Sequence, residues 1–358
     1  MKNKNYYAVI MAGGIGSRFW PMSTETYPKQ FHDMLGVGTS LIQKTFARFE
    51  NIIPSENILI STNKRYKNLV KEQLKKVTDA QLLFEPAMRN TAPCIFYAAL
   101  KVYQKNPDAV MIIAPSDHWI DDEDTFRKNV KQAFAACLKQ PILMTLGIQP
   151  KSPNTGYGYI QFEEGNSEIK KVKNFTEKPD LKKAKAFIKS GDYLWNAGIF
   201  IWSAQSIIEA FKQFLPDMYA LFSAGMPCFN TAQEETFITD NYGKSQNISI
   251  DYGIMERSEN VYVLPVEFGW NDLGTWNSLY HKLPKQKQGN AVINAKTIFR
   301  EASGNLVRTS KDKIVVIQGL DNFIIVEKED VLLICPRSKE QDIKHILAEV
   351  QQKYKSSN

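Results

Sequence analysis

Short, uninterrupted apolar runs alternate along the chain with segments whose apolar residues recur every three or four positions. The runs at 8–12 (AVIMA), 57–61 (NILIS), 81–84 (QLLF) and 109–114 (AVMIIA) have the length of buried strands in a parallel sheet. The segment 40–49 (SLIQKTFARF) is apolar at 41, 42, 46 and 49, which predicts a helix with Ser40 as its cap. Helices are predicted likewise over 64–77 and 91–103. A strict alternation of this kind means an α/β fold, its parallel sheet wrapped by helices on both faces, with ligands bound beyond the carboxyl ends of the strands.

From about 141 the pattern changes. ILMTLGIQP is a strand, 155–162 and 168–176 are extended and hairpin-linked, and 181–190 returns to helix. A strand at 196–202, a helix at 204–215 and a late strand at 261–265 complete a first domain over 1–283. The polar, proline-bearing stretch KLPKQKQGN at 282–290 marks a boundary. Beyond it, extended runs at 291–293, 305–308, 314–318, 323–327 and 331–335 predict a small C-terminal β module over 290–358. An amphipathic helix at 339–354 closes it, with Ile343, Ile346, Leu347, Val350 and Tyr354 on one face.

The first strand runs straight into Gly13, Gly14 and Gly16. Glycines there permit positive φ and let several N–H groups approach one anionic ligand. Arg18 follows with a rigid donor fork suited to phosphate oxygens, and Lys29 adds a point charge. No Lys-Ser/Thr follows a glycine at Walker spacing, and Phe19 stands where a dinucleotide fingerprint needs its third glycine. What remains is a loop for a triphosphate. The plainer alternatives are a surface arginine paired with a carboxylate and an exposed lysine.

Composition changes this picture little. The 358 residues are 43% hydrophobic and 23% charged, as in ordinary globular proteins, with a net charge of +7. The positive surplus is spread out, as in KRYKNLVKEQLKK at 64–76, where apolar spacing indicates a solvated helix face. Clustered basic and aromatic residues of a nucleic-acid surface are missing from the sequence. Cys94, Cys137, Cys228 and Cys335 are far apart, so the sequence suggests free thiols of a reducing cytosol, with neither a zinc site nor a disulfide framework. Lys2 and Lys4 before YYAVIMAGG superficially resemble a signal peptide, but cleavage there would remove the first strand. No apolar run approaches the roughly 18 residues that span a bilayer. The expected location is the cytoplasm, with no membrane partner.

The pattern G-G-x-G-x-R with P-K ten residues later resembles that of the sugar-1-phosphate nucleotidylyltransferases. PKQF after the loop, RNTAP at 89–93 and APSDH at 114–118 narrow the resemblance to the mannose-1-phosphate guanylyltransferases, with Phe19 and Met22 where that family usually has Leu. The resemblance implies a Rossmann-like, mixed but mostly parallel sheet of the nucleotide-diphospho-sugar transferase type. It also implies GTP and mannose 1-phosphate as substrates, Mg2+ or another divalent cation as cofactor, and a homodimer supported by a left-handed β-helix-like C-terminal region. No hexapeptide repeat is visible there, and 358 residues leave no room for the isomerase domain of bifunctional relatives.

In the implied reaction a sugar-phosphate oxygen attacks the α-phosphorus of GTP. A phosphate monoester is already mostly dianionic near neutrality, so the catalyst needs cations, metal-binding carboxylates and glycines but no general base. Ala12, Gly13, Gly14, Gly16, Ser17 and Arg18 are the candidate triphosphate loop, with Arg18 also stabilising the departing pyrophosphate. Lys29 is placed near the α-phosphate. Asp117 ends a buried strand, where an ionised carboxylate needs a cation, and magnesium is the natural one. Asp272 in GWNDLGTW is the second ligand by resemblance, and a helix cap or turn is the alternative for both aspartates. Lys178 in FTEKP would neutralise the sugar phosphate while Glu177 accepts from sugar hydroxyls, although E-K-P also suits a surface turn. By resemblance Gly156 gives close backbone approach to the hexose and Asn196 a bidentate amide, unless Asn196 is a buried turn amide. Guanine presents N–H donors, which Glu85 could accept, and Arg89, Asn90 and Thr91 at a helix start could bind the ribose or triphosphate. Two alternatives are kept: the same chemistry with another base or sugar, and a non-catalytic nucleotide-sugar sensor. A sensor should have lost a charge from Arg18, Lys29, Asp117, Lys178 and Asp272, and all five are present.

Overall fold

The computed structural model describes residues 2–354. By packing, the chain divides into two compact units. The first comprises residues up to Gly13 together with Thr45–Ser116 and Ile120–Trp270. It holds nine strands: β1 (Tyr6–Met11), β2 (Ile58–Asn63), β3 (Leu82–Glu85), β4 (Val110–Pro115), β5 (Leu143–Ile148), β6 (Tyr159–Phe162), β7 (Lys170–Thr176), β8 (Tyr193–Ser203) and β9 (Val261–Val266). They form one sheet in the order β3-β2-β1-β4-β8-β5-β9-β7-β6.

The sheet is mixed, and the expectation of a mostly parallel one holds only for part of it. β3, β2, β1 and β4 are parallel neighbours, as the strand and helix alternation predicts. β8 then enters antiparallel to β4, β5 and β6, and β6 and β7 pair as a hairpin. The cause is local: once the chain forms hairpins after 150, successive strands no longer need a helical crossover and can reverse direction.

Helices cover the sheet through apolar stripes. In the helix Thr91–Lys105, residues 92 to 102 are all buried, and Phe96 stacks on Phe211 of the helix Ala204–Phe214 at 4.3 Å. The sequence reading passed over the helix Glu123–Lys139. Asp122 caps it by accepting from the N–H groups of Asp124 and Thr125, and Phe126, Val130, Ala133, Phe134 and Cys137 form its buried stripe, a pattern of helical period.

The second unit comprises Gly14–Lys44, Asp117–Trp119 and the residues from Asn271 onward. Its sheet runs β10 (Ala291–Arg300), β11 (Leu306–Gln318), β12 (Phe323–Lys328) and β13 (Val331–Pro336). The runs at 305–308 and 314–318 are thus one strand. β10, β11 and β12 pair parallel in succession, and β13 is antiparallel to β12. The helix Ile343–Tyr354 follows. Phe19, Trp20, Met34 and Leu41 share one core with Trp276, Ile293, Leu306, Ile324 and Ile343. Packing therefore divides the chain differently from the sequence boundary at 282–290, since the segment from Gly14 to Lys44 joins the C-terminal strands. As predicted, Ser40 caps the helix Leu41–Glu50: its Oγ accepts from Gln43 N, while Gln43 Oε1 accepts from Ser40 N at 2.9 Å.

Candidate active site

The candidate side chains fall into two sets, one in each unit. In the second unit, Gly16 has φ 72° and caps a short helical turn, Ser17–Phe19. A β-carbon there would lie 2.6 Å from Cβ of Lys29, so only glycine fits. Gly13 and Gly14, by contrast, do not have positive φ. A β-carbon on Gly13 would make ordinary contact, and one on Gly14 would meet nothing within 4 Å. The expected conformational need for three glycines therefore rests on Gly16. Arg18 is exposed, and among the described residues no salt bridge involves it. The plainer reading of a carboxylate-paired arginine is not what the fold contains.

Lys29 is buried, with 3% of its surface exposed. Its Nζ donates to Oδ2 of Asp117 at 2.8 Å and to the carbonyl oxygen of Asp272 at 2.8 Å, and lies 5.4 Å from the centre of the Phe19 ring. Trp119 and Asn271 bring these groups together. Their backbones exchange an antiparallel pair of hydrogen bonds of 2.8 and 3.0 Å, which sets 117–119 alongside 271–272. Leu273 takes φ 45°, unusual for a non-glycine residue and a mark of an over-determined turn. Burial raises the pKa of the Asp117 carboxyl, but the charges of Lys29 and His118 and the bond from Lys29 outweigh it, and the net position is below the usual range. Asp117 is thus an ionised carboxylate with about a third of its side chain, 32%, open to solvent. The carboxylate of Asp272 accepts from Gly274 N at 3.2 Å. Among the described residues, no group of three or more His, Cys, Asp or Glu gathers as a metal centre.

In the first unit, Ala12 continues β1. Its N–H donates to Ser61 O at 2.7 Å and its carbonyl accepts from Thr62 Oγ1 at 2.9 Å. Glu85 ends β3 with both carboxylate oxygens held: Ser61 Oγ donates to Oε1 at 2.8 Å and Tyr242 OH to Oε2 at 2.8 Å. Burial raises its pKa, and these two hydrogen bonds oppose the rise without cancelling it. Such a carboxylate is fixed in direction and keeps acceptor capacity. Arg89 donates through Nε, at 3.0 Å, and through Nη2 to the carbonyl of Gly243, so part of its fork is spent on the backbone. Asn90 and Thr91 stand at a helix start as expected. Asn90, at φ 64°, caps the helix with its own side chain, while Thr91 Oγ1 accepts from Ile250 N at 2.9 Å.

The same unit gathers Glu177, Lys178 and Asn196. Lys178 Nζ pairs with Oε1 of Glu177, and Lys178 has φ 46°, a strained position of the kind found at functional sites. Burial lowers the pKa of its ammonium, but the hydrogen bond from Nζ to Glu177 and the charges of Glu177 and Asp251 raise it overall. A bidentate grip by Asn196 does not survive. Its Oδ1 already accepts from Thr145 Oγ1 at 3.0 Å and from Gly198 N at 3.0 Å, and its Nδ2 donates to Asp251 Oδ1 at 2.9 Å, leaving a single N–H. Gly156 donates its N–H to Asn154 Oδ1 at 2.8 Å. The glycine with close approach is Gly158: a β-carbon there would overlap Oε2 of Glu177 and lie 3.3 Å from Cβ of Asn196.

Asp251, Gly158, Ser61 and Tyr242 were not found by sequence reasoning. Asp251 is one of two acids, with Glu256, in the otherwise uncharged stretch SIDYGIME at 249–256, the one local signal available. Burial, and then the charge of Glu177, push its carboxyl up to about 7. Together this unit offers a carboxylate held by two hydroxyls and a cluster of cation, carboxylate and amide. The other unit offers a glycine turn, two cations and two aspartates suited to polyphosphate.

A family model described as nucleotidyl transferase matches residues 7–289. The xanthan biosynthesis protein XanB of Xanthomonas campestris pv. campestris (strain B100) is 35% identical over 352 residues, covering 96% of this chain and 72% of that protein. The mannose-1-phosphate guanylyltransferase of Escherichia coli (strain K12) is 35% identical over 372 residues, covering 98% and 74%. Among solved structures, the mannose-1-phosphate geranyltransferase of Thermus thermophilus superposes with a TM-score of 0.87 at 26% identity, covering 97% of this chain and 99% of that one.

Proposed function

The chain belongs to the nucleotidyl transferase family and within it to the mannose-1-phosphate guanylyltransferases, and from that premise we propose that it transfers GMP from GTP to α-D-mannose 1-phosphate. A phosphate oxygen of the sugar attacks the α-phosphorus in line, the bond to the β-phosphate oxygen breaks, and pyrophosphate leaves with GDP-mannose as the other product. The observation that carries this reading is the fixed ammonium of Lys29, held by Asp117 and by the carbonyl of Asp272 beside the tight turn at Gly16.

Each residue then has a physical task. The loop of Gly13, Gly14, Gly16 and Ser17 receives the triphosphate, and Arg18 grips its outer phosphates and stays with the charge that develops on pyrophosphate. Lys29, oriented by Asp117, faces the α-phosphate. Glu85, held by two hydroxyls, accepts from guanine, with Arg89, Asn90 and Thr91 at the adjoining helix start. Lys178 neutralises the sugar phosphate. Glu177, backed by Gly158, accepts from the hexose, to which Asn196 contributes one N–H and Gly156 its backbone. No proton needs to leave the nucleophile, so orientation and charge compensation make up the catalysis.

Asp117 and Asp272 fit a magnesium ion in their chemistry: both present hard carboxylate oxygens, and Asp117 is ionised. Two carboxylates completed by substrate oxygens are the usual way this ion is held. When bound it would supply charge neutralisation at the phosphates.

The C-terminal strands support a short β-helix-like coil. Parallel neighbours in an ordinary sheet need a crossover of about a dozen residues or more, whereas β10 to β11 and β11 to β12 connect through short links. Ile298, Ile314, Val316, Leu332 and Ile334 are exposed on these strands, an apolar surface that suits a homodimer. Among the described residues no helix is long and apolar enough to cross a membrane, and the cysteines are free thiols, which fits a cytoplasmic enzyme.

The test is pyrophosphate release. Purified protein should release it from GTP only when mannose 1-phosphate and a divalent cation are both present. Turnover that ignores chelation would remove the metal assignment, and turnover without the sugar phosphate would replace transfer by hydrolysis.

A further inference from the structure

Arg308 lies on β11 and is 4% exposed. Its Nη1 donates to the carbonyl of Met34 at 2.8 Å and its Nη2 to the carbonyl of Asp33 at 2.7 Å. Among the described residues no salt bridge involves it. A guanidinium buried with no carboxylate bonded to it, and only the charge of Asp33 nearby to offset desolvation, is costly, and a plain apolar residue would fill the same core at less cost. What it gains is directional: one rigid fork fixes two consecutive carbonyls, which no apolar side chain and no lysine can do.

Those carbonyls follow Lys29 closely. His32 N donates to Lys29 O at 3.0 Å, and Leu41 N donates to His32 O at 3.2 Å. Upstream of Lys29, Lys328 of β12 donates to Met22 O at 3.2 Å and lies 5.5 Å from the centre of the Tyr27 ring. Tyr27 packs edge-on to His32 at 4.6 Å. Met34 is fully buried in the core that contains Ile293, Leu306 and Ile324, and Gly36, at φ 74°, would bring a β-carbon to 3.2 Å from Ile293 Cγ2. Cations of two C-terminal strands therefore bracket the segment that presents Lys29.

We propose that Arg308, assisted by Lys328, is a positioning residue for nucleotidyl transfer: the C-terminal strands hold 22–34 in register so that the Lys29 ammonium meets the α-phosphate. This rests on the reading of Lys29 given above. The C-terminal strands are then a working part of the transferase site and more than an oligomerisation surface. A displacement of about 1 Å in a positioned group costs on the order of a hundredfold in rate, which sets the scale of the effect.

The experiment compares Arg308→Met, Arg308→Lys and Lys328→Met with the parent protein. Arg308→Met should lower kcat by about tenfold to a hundredfold while leaving KM for mannose 1-phosphate within about twofold, since that substrate's groups lie elsewhere. Arg308→Lys, which restores the charge without the fork, should recover only part of kcat. It also serves as the folded variant if Arg308→Met does not accumulate. Hydrogen exchange of the amides over 22–41 should speed up in both, whether or not the protein turns over GTP. Parent-like kcat with a merely lowered melting temperature, or unchanged exchange over 22–41, would overturn the proposal. A parent protein without transferase activity but with the exchange change would refute the functional reading and leave the clamp standing.

Discussion

Gly16 and Lys29 are packed so closely that a β-carbon on Gly16 would lie 2.6 Å from Cβ of Lys29. The left-handed φ of 72° adds a second objection to any side chain. Gly16→Ala should therefore cost about 1–3 kcal/mol of stability and, by shifting Lys29, lower kcat by about tenfold or more. Thermal unfolding and steady-state kinetics together check this. An alanine variant with parental kcat would show that Lys29 is not held by the turn.

Glu85 is a fixed acceptor, and its partners Ser61 and Tyr242 are hydroxyls that can reverse their own donor and acceptor roles. Glu85→Gln should fold normally and lower the preference for GTP over ATP by about tenfold, the worth of one well-placed hydrogen bond to a charged group. The ratio of kcat/KM for the two nucleotides measures it. An unchanged ratio would clear Glu85 of base reading.

Asp251 gives a pH signature. Burial and the charge of Glu177 hold its folded-state pKa at about 7, above the ordinary value of 3.8. Between these values the folded chain binds a proton that the unfolded chain has lost, so stability falls as pH rises. The contribution is present in full below about 4 and is lost as pH rises through about 7. Asp251→Asn keeps an acceptor for Asn196 and removes the titration. Relative to this variant, the parent should lose stability steadily from about pH 4 to about pH 7 and level off above that, measured by denaturant unfolding at fixed salt. Parallel curves would show that Asp251 is ionised throughout.

Local signals made much of this molecule legible. The apolar runs located β1 to β4, because buried parallel strands carry no polar face. The glycines located the turn, and Asp117 stood out as a charge at the end of an apolar strand, whereas Asp272 was reached only through the family resemblance of GWNDLGTW. What escaped depends on distant contacts. Nothing near Arg308 points to the carbonyls of Asp33 and Met34, and the periodicity of 291–335 does not reveal that Phe19, Trp20 and Met34 complete its core. Asn196 looked available because its partners Thr145, Gly198 and Asp251 meet it only after β8 has reversed the direction of the sheet. Gly156 and Gly158 are equivalent in TGYGY, and only the fold shows which one faces Glu177.

The most direct test follows the oxygen atoms. Mannose 1-phosphate labelled with heavy oxygen on its phosphate is incubated with GTP, a divalent cation and the protein, and the products are examined by phosphorus NMR and mass spectrometry. Attack by the sugar phosphate on the α-phosphorus predicts GDP-mannose that keeps all of the label, part of it in the diphosphate bridge, and pyrophosphate that carries none. Label in the pyrophosphate, or pyrophosphate formed without GDP-mannose, would contradict the account.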